Sequence, residues 1–120
     1  MANKLAIITG ASTGIGFELA TLAAKDGYDL LVVANEPLIE DAARDFEQFG
    51  PQVTSVNAEL STIEGVDMLL DTAGDRPIDL LAANAGVGTG GPFIEQDVSK
   101  WRHSIDTNVT GTVYLLQEVL

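Results

Sequence analysis

No cysteine occurs among the 120 residues. That excludes disulfides, thiolate nucleophiles and sulfur-ligated metal sites in one step, and it suits a reducing compartment. Basic residues are nearly as scarce: six Lys and Arg stand against 18 Asp and Glu, for a formal charge of −12. A chain this acidic repels phosphate backbones and anionic lipid, so neither nucleic acid nor a membrane surface is an expected partner. No apolar run approaches the ~20 residues needed to cross a bilayer. Met1-Ala2-Asn3-Lys4 leads straight into the short apolar stretch Leu5 to Ile8, without a signal-peptide core or cleavage site. These deficits together predict a cytoplasmic protein with no metal centre.

What is present is enough for a core. Hydrophobic residues make up 46% and charged residues 20%, which predicts one globular unit over residues 1–120. Four short apolar runs recur at nearly even spacing: Leu5 to Thr9, Asp29 to Ala34, Gln52 to Val56 and Ile78 to Ala83. The first, second and fourth are continuous blocks, as expected of parallel strands covered on both faces. The third, QVTSV, alternates and is more polar, which suits an edge strand.

Helical periods lie between the runs. Ile15, Leu19, Leu22 and Ala23 recur at helical spacing from Gly14 to Asp26, with Gly27 as the stop. A second helix begins near Pro37, runs through Leu38, Ala42, Phe46 and Phe49, and ends at Gly50-Pro51; its acidic cluster from Glu36 to Glu47 reads as a wet face. A third opens with the capping-box pattern Ser61-Thr62-Ile63-Glu64 and carries Ile63, Val66, Leu69, Leu70 and Ala73. A fourth starts near Ser99 and reaches the end, with Trp101, Ile105, Val109, Val113, Leu116 and Leu120 on one stripe, Trp101 as core. Strand and helix alternating through four cycles predict an α/β fold, a parallel sheet with helices on both faces.

The turn after the first strand carries Gly10, Ser12, Thr13, Gly14, Ile15 and Gly16. At that place a helix N-terminus presents unpaired amides and partial positive charge above the sheet, glycines admit a diphosphate without meeting a Cβ, and Ser12 and Thr13 supply hydroxyls. The competing reading is a tight turn with no ligand. No lysine follows as in a triphosphate P-loop, so an ATPase is disfavoured.

Thr9, Gly10, Gly14 and Gly16 match the T-G-x-x-x-G-x-G motif, and here the sequence resembles the short-chain dehydrogenase/reductase family. Ala83-Asn84-Ala85-Gly86 is similar to that family's N-N-A-G, with Ala83 in place of the first Asn. Glu59-Leu60 is similar to its Asp-Leu or Asp-Val pair, and Asn108 to the helical asparagine of its Asn-Ser-Tyr-Lys tetrad. The resemblance covers the whole chain. It implies a Rossmann-type doubly wound sheet of strand order 3-2-1-4, truncated before the catalytic strand and helix, and a small-molecule dinucleotide, NAD or NADP, as ligand. It implies that Glu59 and Leu60 sit at the adenine, that Asn84, Ala85 and Gly86 line the cleft, and that Asn108 is the one tetrad member present. Asn84 also reads as a local cap of the fourth strand.

An acidic side chain at the end of the second strand favours NAD over NADP, whereas arginine favours NADP. Here the strand ends Ala34-Asn35-Glu36, and neither Thr13 nor a sequence neighbour is basic, so Asn35 and Glu36 lean toward NAD. The family's chemistry is hydride transfer between nicotinamide and an alcohol or carbonyl, with a Tyr-x-x-x-Lys pair as general acid. Tyr28 and Tyr114 are followed four residues on by Val32 and Glu118, so neither fits; Tyr28 reads as packed near the second strand. Ser99 and Ser104 read as helix-entry and helix-surface residues. His103 has no partner at a recognisable spacing and reads as structural or solvated. The chain is therefore expected to retain cofactor binding alone, with a non-catalytic dinucleotide-sensing module or an inactive structural fragment as alternatives. An uncovered fourth strand or the last helix would favour self-association.

Overall fold

The computed structural model describes residues 3–86 and 92–120; Met1 and Ala2, which open the N-terminal segment read above, lie outside the described residues. Strands β1 (Leu5–Thr9), β2 (Asp29–Ala34), β3 (Val53–Asn57) and β4 (Leu80–Ala82) form a parallel sheet in the order β3-β2-β1-β4. The helices are α1 (Gly14–Lys25), α2 (Leu38–Glu47), α3 (Ile63–Ala73), α4 (Val98–Ile105) and α5 (Thr112–Val119). A π-helical turn, Asp106–Gly111, joins α4 to α5, and a 3-10 turn, Phe93–Glu95, precedes α4.

Why the central strands are continuous apolar blocks is plain from their burial. Successive side chains point to opposite faces, so Ala6, Ile8, Leu30 and Val32 pack beneath α1 and α2 while Leu5, Ile7, Leu31 and Val33 pack beneath α3 and Leu115 of α5. Every residue of β1 and β2 is buried. The polar third strand is an edge, as its alternation implies, and only Val56 of it is buried. The fourth departs from expectation. It spans three residues instead of six, and its side chains are half-buried or exposed because it forms the other edge, paired to β1 alone.

Two helix faces also differ from the periodic reading. On α1 the long residues point outward, Ile15 72% and Leu22 58% exposed, and the face on the sheet is Gly16, Ala20, Ala23 and Ala24. Small side chains win there because the helix approaches the β1 turn too closely for large ones. The last helical stretch behaves alike: Ile105, Val109, Val113 and Leu116 are exposed, and Thr107, Gly111 and Leu115 are buried. A Cβ on Gly111 would stand 1.8 Å from the Leu60 carbonyl oxygen, so this position admits glycine alone. Trp101 is half-buried and belongs to neither core cluster. The cap of α3 is Thr62, whose hydroxyl accepts from Gly65 N–H at 3.0 Å, in place of Ser61. The second helix matches better, with Ile39, Ala42, Ala43 and Phe46 buried and Phe17 against Phe46 at 5.0 Å between ring centroids, although Leu38 and Phe49 are exposed.

The π-helical turn interrupts what the sequence presents as one helix. Its residues, DTNVTG, are weak helix formers, and widening the turn by one residue disturbs the regular hydrogen-bond ladder. The Thr112 hydroxyl donates to the Thr107 carbonyl at 3.1 Å, which gives one carbonyl of this turn a side-chain partner. Farther along, Tyr114 lies away from the loop ends of the strands and donates its phenol to Asp67 of α3 at 2.6 Å. That hydrogen bond to a carboxylate, with some burial and the charges of Asp67 and Glu118, pushes the phenol up to about 12. We expect an alkaline absorbance titration to contain a tyrosine that ionises near 12, and Asp67→Asn to move it down; an unmoved titration would mean that the pair is not formed in solution.

Candidate functional site

The site begins with Thr9, the last residue of β1. Its buried hydroxyl accepts from the backbone N–H groups of Asn84 and Ala85 at 2.9 and 2.8 Å, and donates to the Ala82 carbonyl at 3.4 Å. One hydroxyl therefore ties the end of β1 to the segment leaving β4, and sets the Gly10 turn and the Asn84-Ala85-Gly86 segment side by side. Asn84 adds a bond from its side-chain amide to the Gly10 carbonyl at 3.4 Å. That side-chain bond reaches the turn after β1 and not the fourth strand, so Asn84 joins two strand ends where a local cap was expected.

Above these carboxyl ends lies a cleft of about 450 Å³, lined by Gly10, Ser12, Thr13, Asn35, Glu36, Glu59, Leu60, Asn84, Ala85 and Gly86 from the sequence-derived set. Its volume is that of a small-molecule site. Gly14, Ile15 and Gly16 do not line it: Ile15 faces outward on α1, and Gly16 lies beneath the turn, where a Cβ would come 2.1 Å from the Gly10 carbonyl oxygen. Asn108 does not line it either. Its amide donates to Ser104 Oγ at 3.2 Å, and its Oδ1 abuts Gly86, where a Cβ would lie 2.9 Å away.

Ser12 donates its hydroxyl to Glu36 Oε1, which joins the glycine-rich turn to the end of β2. Glu59, at the end of β3, gathers three donors: Asn35 Nδ2 at 2.5 Å, Ser61 N–H at 3.1 Å and His103 Nε2 at 3.4 Å. Burial pushes the Glu59 carboxyl up, but the Ser61 backbone and side chain together with His103 outweigh it and hold the group below its ordinary value. At neutral pH this wall of the cleft is an engaged carboxylate.

Sequence reasoning missed Ala34, Ala58, His103 and Thr107, which also line the cleft. His103 is exposed, as a solvated residue would be, but it also has a partner that its sequence spacing did not reveal, the Glu59 carboxylate. His103 is far from Asn35 and Glu59 in the chain, and only the packing of α4 over the strand ends brings them together. Helical spacing was the available signal, because His103 and Thr107 are four residues apart and share a face. Thr107 is 6% exposed, and its hydroxyl has no hydrogen-bond partner among the described residues. Leaving such a group unpaired costs about 1–3 kcal/mol, which a bound polar group would offset. No cluster of three or more metal-ligating side chains occurs among the described residues.

A parallel sheet of order 3-2-1-4 with a glycine-rich turn after β1 and an acidic cleft above it defines a dinucleotide-fold protein. The family model for short chain dehydrogenase matches residues 4–120, and the chain belongs to that family. It is 34% identical over 117 residues to glucose 1-dehydrogenase 2 of Bacillus subtilis, covering 93% of this chain and 45% of that protein. With 3beta-hydroxysteroid dehydrogenase 1 of Eggerthella lenta it shares 32% over 115 residues, 91% of this chain and 43% of the relative. Among solved structures, L-sorbose reductase of Gluconobacter frateurii, complexed with NADPH and L-sorbose, superposes with TM-score 0.88 at 32% identity over 98% of this chain and 46% of that one. A short-chain dehydrogenase of Sphingobium yanoikuyae in complex with NADPH gives 0.89 at 28%, over 97% and 46%. The chain thus spans about half the length of the relatives it matches. No helix among the described residues is long and apolar enough to cross a membrane.

Proposed function

We propose that this chain binds a nicotinamide adenine dinucleotide in the cleft above the strand ends, and that it prefers NAD(H) to NADP(H). The observation that carries the reading is the pairing of an open Gly10–Thr13 turn with Glu36 and Glu59 at the ends of β2 and β3. The turn's amides and the α1 N-terminus suit a diphosphate, and the two carboxylates suit ribose hydroxyls and an adenine amino group. The residues present fit the group: Gly10, Ser12 and Thr13 of the turn line the cleft, and so does Thr107 with its unpaired hydroxyl. The sorbose reductase and the Sphingobium enzyme carry NADPH. Here Glu36 occupies the end of β2, and no Lys or Arg lines the cleft among the described residues, so a 2′-phosphate meets net negative charge.

The activity of the family is hydride transfer between the nicotinamide and an alcohol or carbonyl. We assign this chain the binding part of that reaction in the cytoplasm, with Asn108, held against Gly86, as its one contribution to the catalytic set. Tyr114, bonded to Asp67, is not the general acid. Fluorescence titration at pH 8 is expected to saturate with NADH, and to saturate with NADPH at about fivefold higher concentration or more, the equivalent of roughly 1 kcal/mol of repulsion. Absence of saturation by either cofactor rejects binding; equal affinities reject the preference alone.

A further inference from the structure

We propose that His103 sets how strongly the cleft discriminates between NADH and NADPH, by placing a pH-dependent positive charge at its adenosine end. The inference rests on the dinucleotide reading above and adds to it a residue that belongs to none of the sequence motifs.

Three observations carry it. His103 lines the cleft, and it is the one side chain there, among the described residues, that can become a cation. Its Nε2 lies 3.4 Å from Glu59 Oε2, the same oxygen that accepts from Asn35 Nδ2 at 2.5 Å. Asn35 directly follows β2, where the adenosine ribose of a dinucleotide is recognised, so a single carboxylate oxygen separates His103 from the residue beside the 2′ position. Finally, Thr107, one turn farther along, carries a buried hydroxyl without a hydrogen-bond partner, an independent sign that a polar ligand reaches this helix face.

The charge balance gives the direction. Across the cleft His103 faces Glu59 from the β3–α3 connection and Glu36 from the end of β2, while the Asn84-Ala85-Gly86 segment is neutral. On its own stretch Lys100 and Arg102 precede it and Asp106 follows one turn on. Neutral His103 leaves two carboxylates to repel a 2′-phosphate. Protonated His103 pairs with Glu59 and cancels one of them. Acidification can only add that proton, so preference for NADH narrows as pH falls.

Dissociation constants of the 120-residue chain for NADH and NADPH, measured at pH 8 and pH 6 in the unchanged protein, His103→Gln and His103→Arg, test this. The 2′-phosphate itself titrates near pH 6, and His103→Gln retains that contribution, so the comparison removes it. The NADPH-to-NADH ratio in the unchanged protein is expected to fall, from pH 8 to pH 6, by about threefold or more beyond the fall in His103→Gln. His103→Arg is expected to show the low ratio at both pH values. Equal pH dependence in the unchanged protein and His103→Gln overturns the proposal while leaving dinucleotide binding intact, as does a His103→Arg ratio equal to that of His103→Gln. Failure of the unchanged protein to saturate with either cofactor overturns both readings.

Discussion

Replacing Gly16 with alanine is expected to weaken NADH binding by about tenfold or more, because sub-ångström placement of the diphosphate turn governs the site, and to destabilise the fold by about 1–3 kcal/mol as an overpacked contact. The new Cβ would stand 2.1 Å from the Gly10 carbonyl oxygen and 2.6 Å from Asn84 Nδ2. Neither neighbour can yield easily. The carbonyl is backbone of the turn itself, and the Asn84 amide bonds to that carbonyl. The start of α1 must therefore lift from the turn, which moves the helix N-terminus away from the cleft. Gly14→Ala provides the contrast. Gly14 has φ +61 with nothing within 4 Å of a built Cβ, so alanine there meets backbone strain of about 1 kcal/mol and no collision. Urea unfolding and NADH titration of both variants separate the cases. Gly16→Ala with unaltered affinity would show that the turn and α1 do not meet as closely as described.

The second large effect lies at the opposite end of the sheet. Asp29, buried at the start of β2, accepts from Arg76 at 2.8 Å, from the Asn3 amide at 3.1 Å and from the Gln52 backbone at 3.0 Å. Arg76 also donates to the Asn3 carbonyl at 2.6 Å. This carboxylate thereby joins the approach to β1, the start of β2, the entry to β3 and the segment that leads to β4. Burial pushes the Asp29 carboxyl up, but the hydrogen bonds from Arg76, Asn3 and Gln52 and the Arg76 charge outweigh it and lower it from 3.8. Removal of one partner of a fully buried pair costs about 3–5 kcal/mol. The Arg76 side chain is one-third exposed, and solvent screening reduces the expectation for Asp29→Ala to about 2 kcal/mol at pH 7.

The pH dependence has a definite sign. A carboxylate whose folded value lies below its unfolded value contributes its stability in full above the unfolded value, and loses it as pH falls through the folded one. The stability gap between the unchanged protein and Asp29→Ala is therefore expected to be complete above about pH 5 and to shrink below 3.8. Urea midpoints at pH 7, 5, 4 and 3 measure it. A gap that stays constant to pH 3 would mean that the network stabilises through packing and not through the charge of Asp29.

Much of this fold was legible along the chain. The limits of β1 and β2 are those of the apolar blocks, because a strand buried on both faces must be apolar throughout. The edge position of β3 followed from its polar alternation. The helix faces were not legible. Periodicity reports which residues are apolar and cannot report how closely a helix approaches its neighbour, so Ile15 and Leu22 outweighed Gly16, Ala20 and Ala24 on hydrophobicity while the reverse holds in burial.

The site divides the same way. Gly10, Ser12, Thr13, Asn35 and Glu36 were identified by position, since in a parallel α/β sheet the carboxyl end of each strand opens on one side, whereas Glu59, Leu60, Asn84, Ala85 and Gly86 came from the family resemblance. Sequence alone determined the alternation of strands and helices along the chain and the carboxylate that follows β2, because both depend on local pattern and on residue type, while the strand order rested on the family resemblance. Tertiary structure decided that His103 and Thr107 belong to the same cleft and that Glu59 joins Asn35 to His103. Those contacts join residues 24 and 44 positions apart: the first exists because β2 and β3 pair side by side, and the second because the π-helical turn, with Gly111 against the Leu60 carbonyl, sets α4 beside the strand ends.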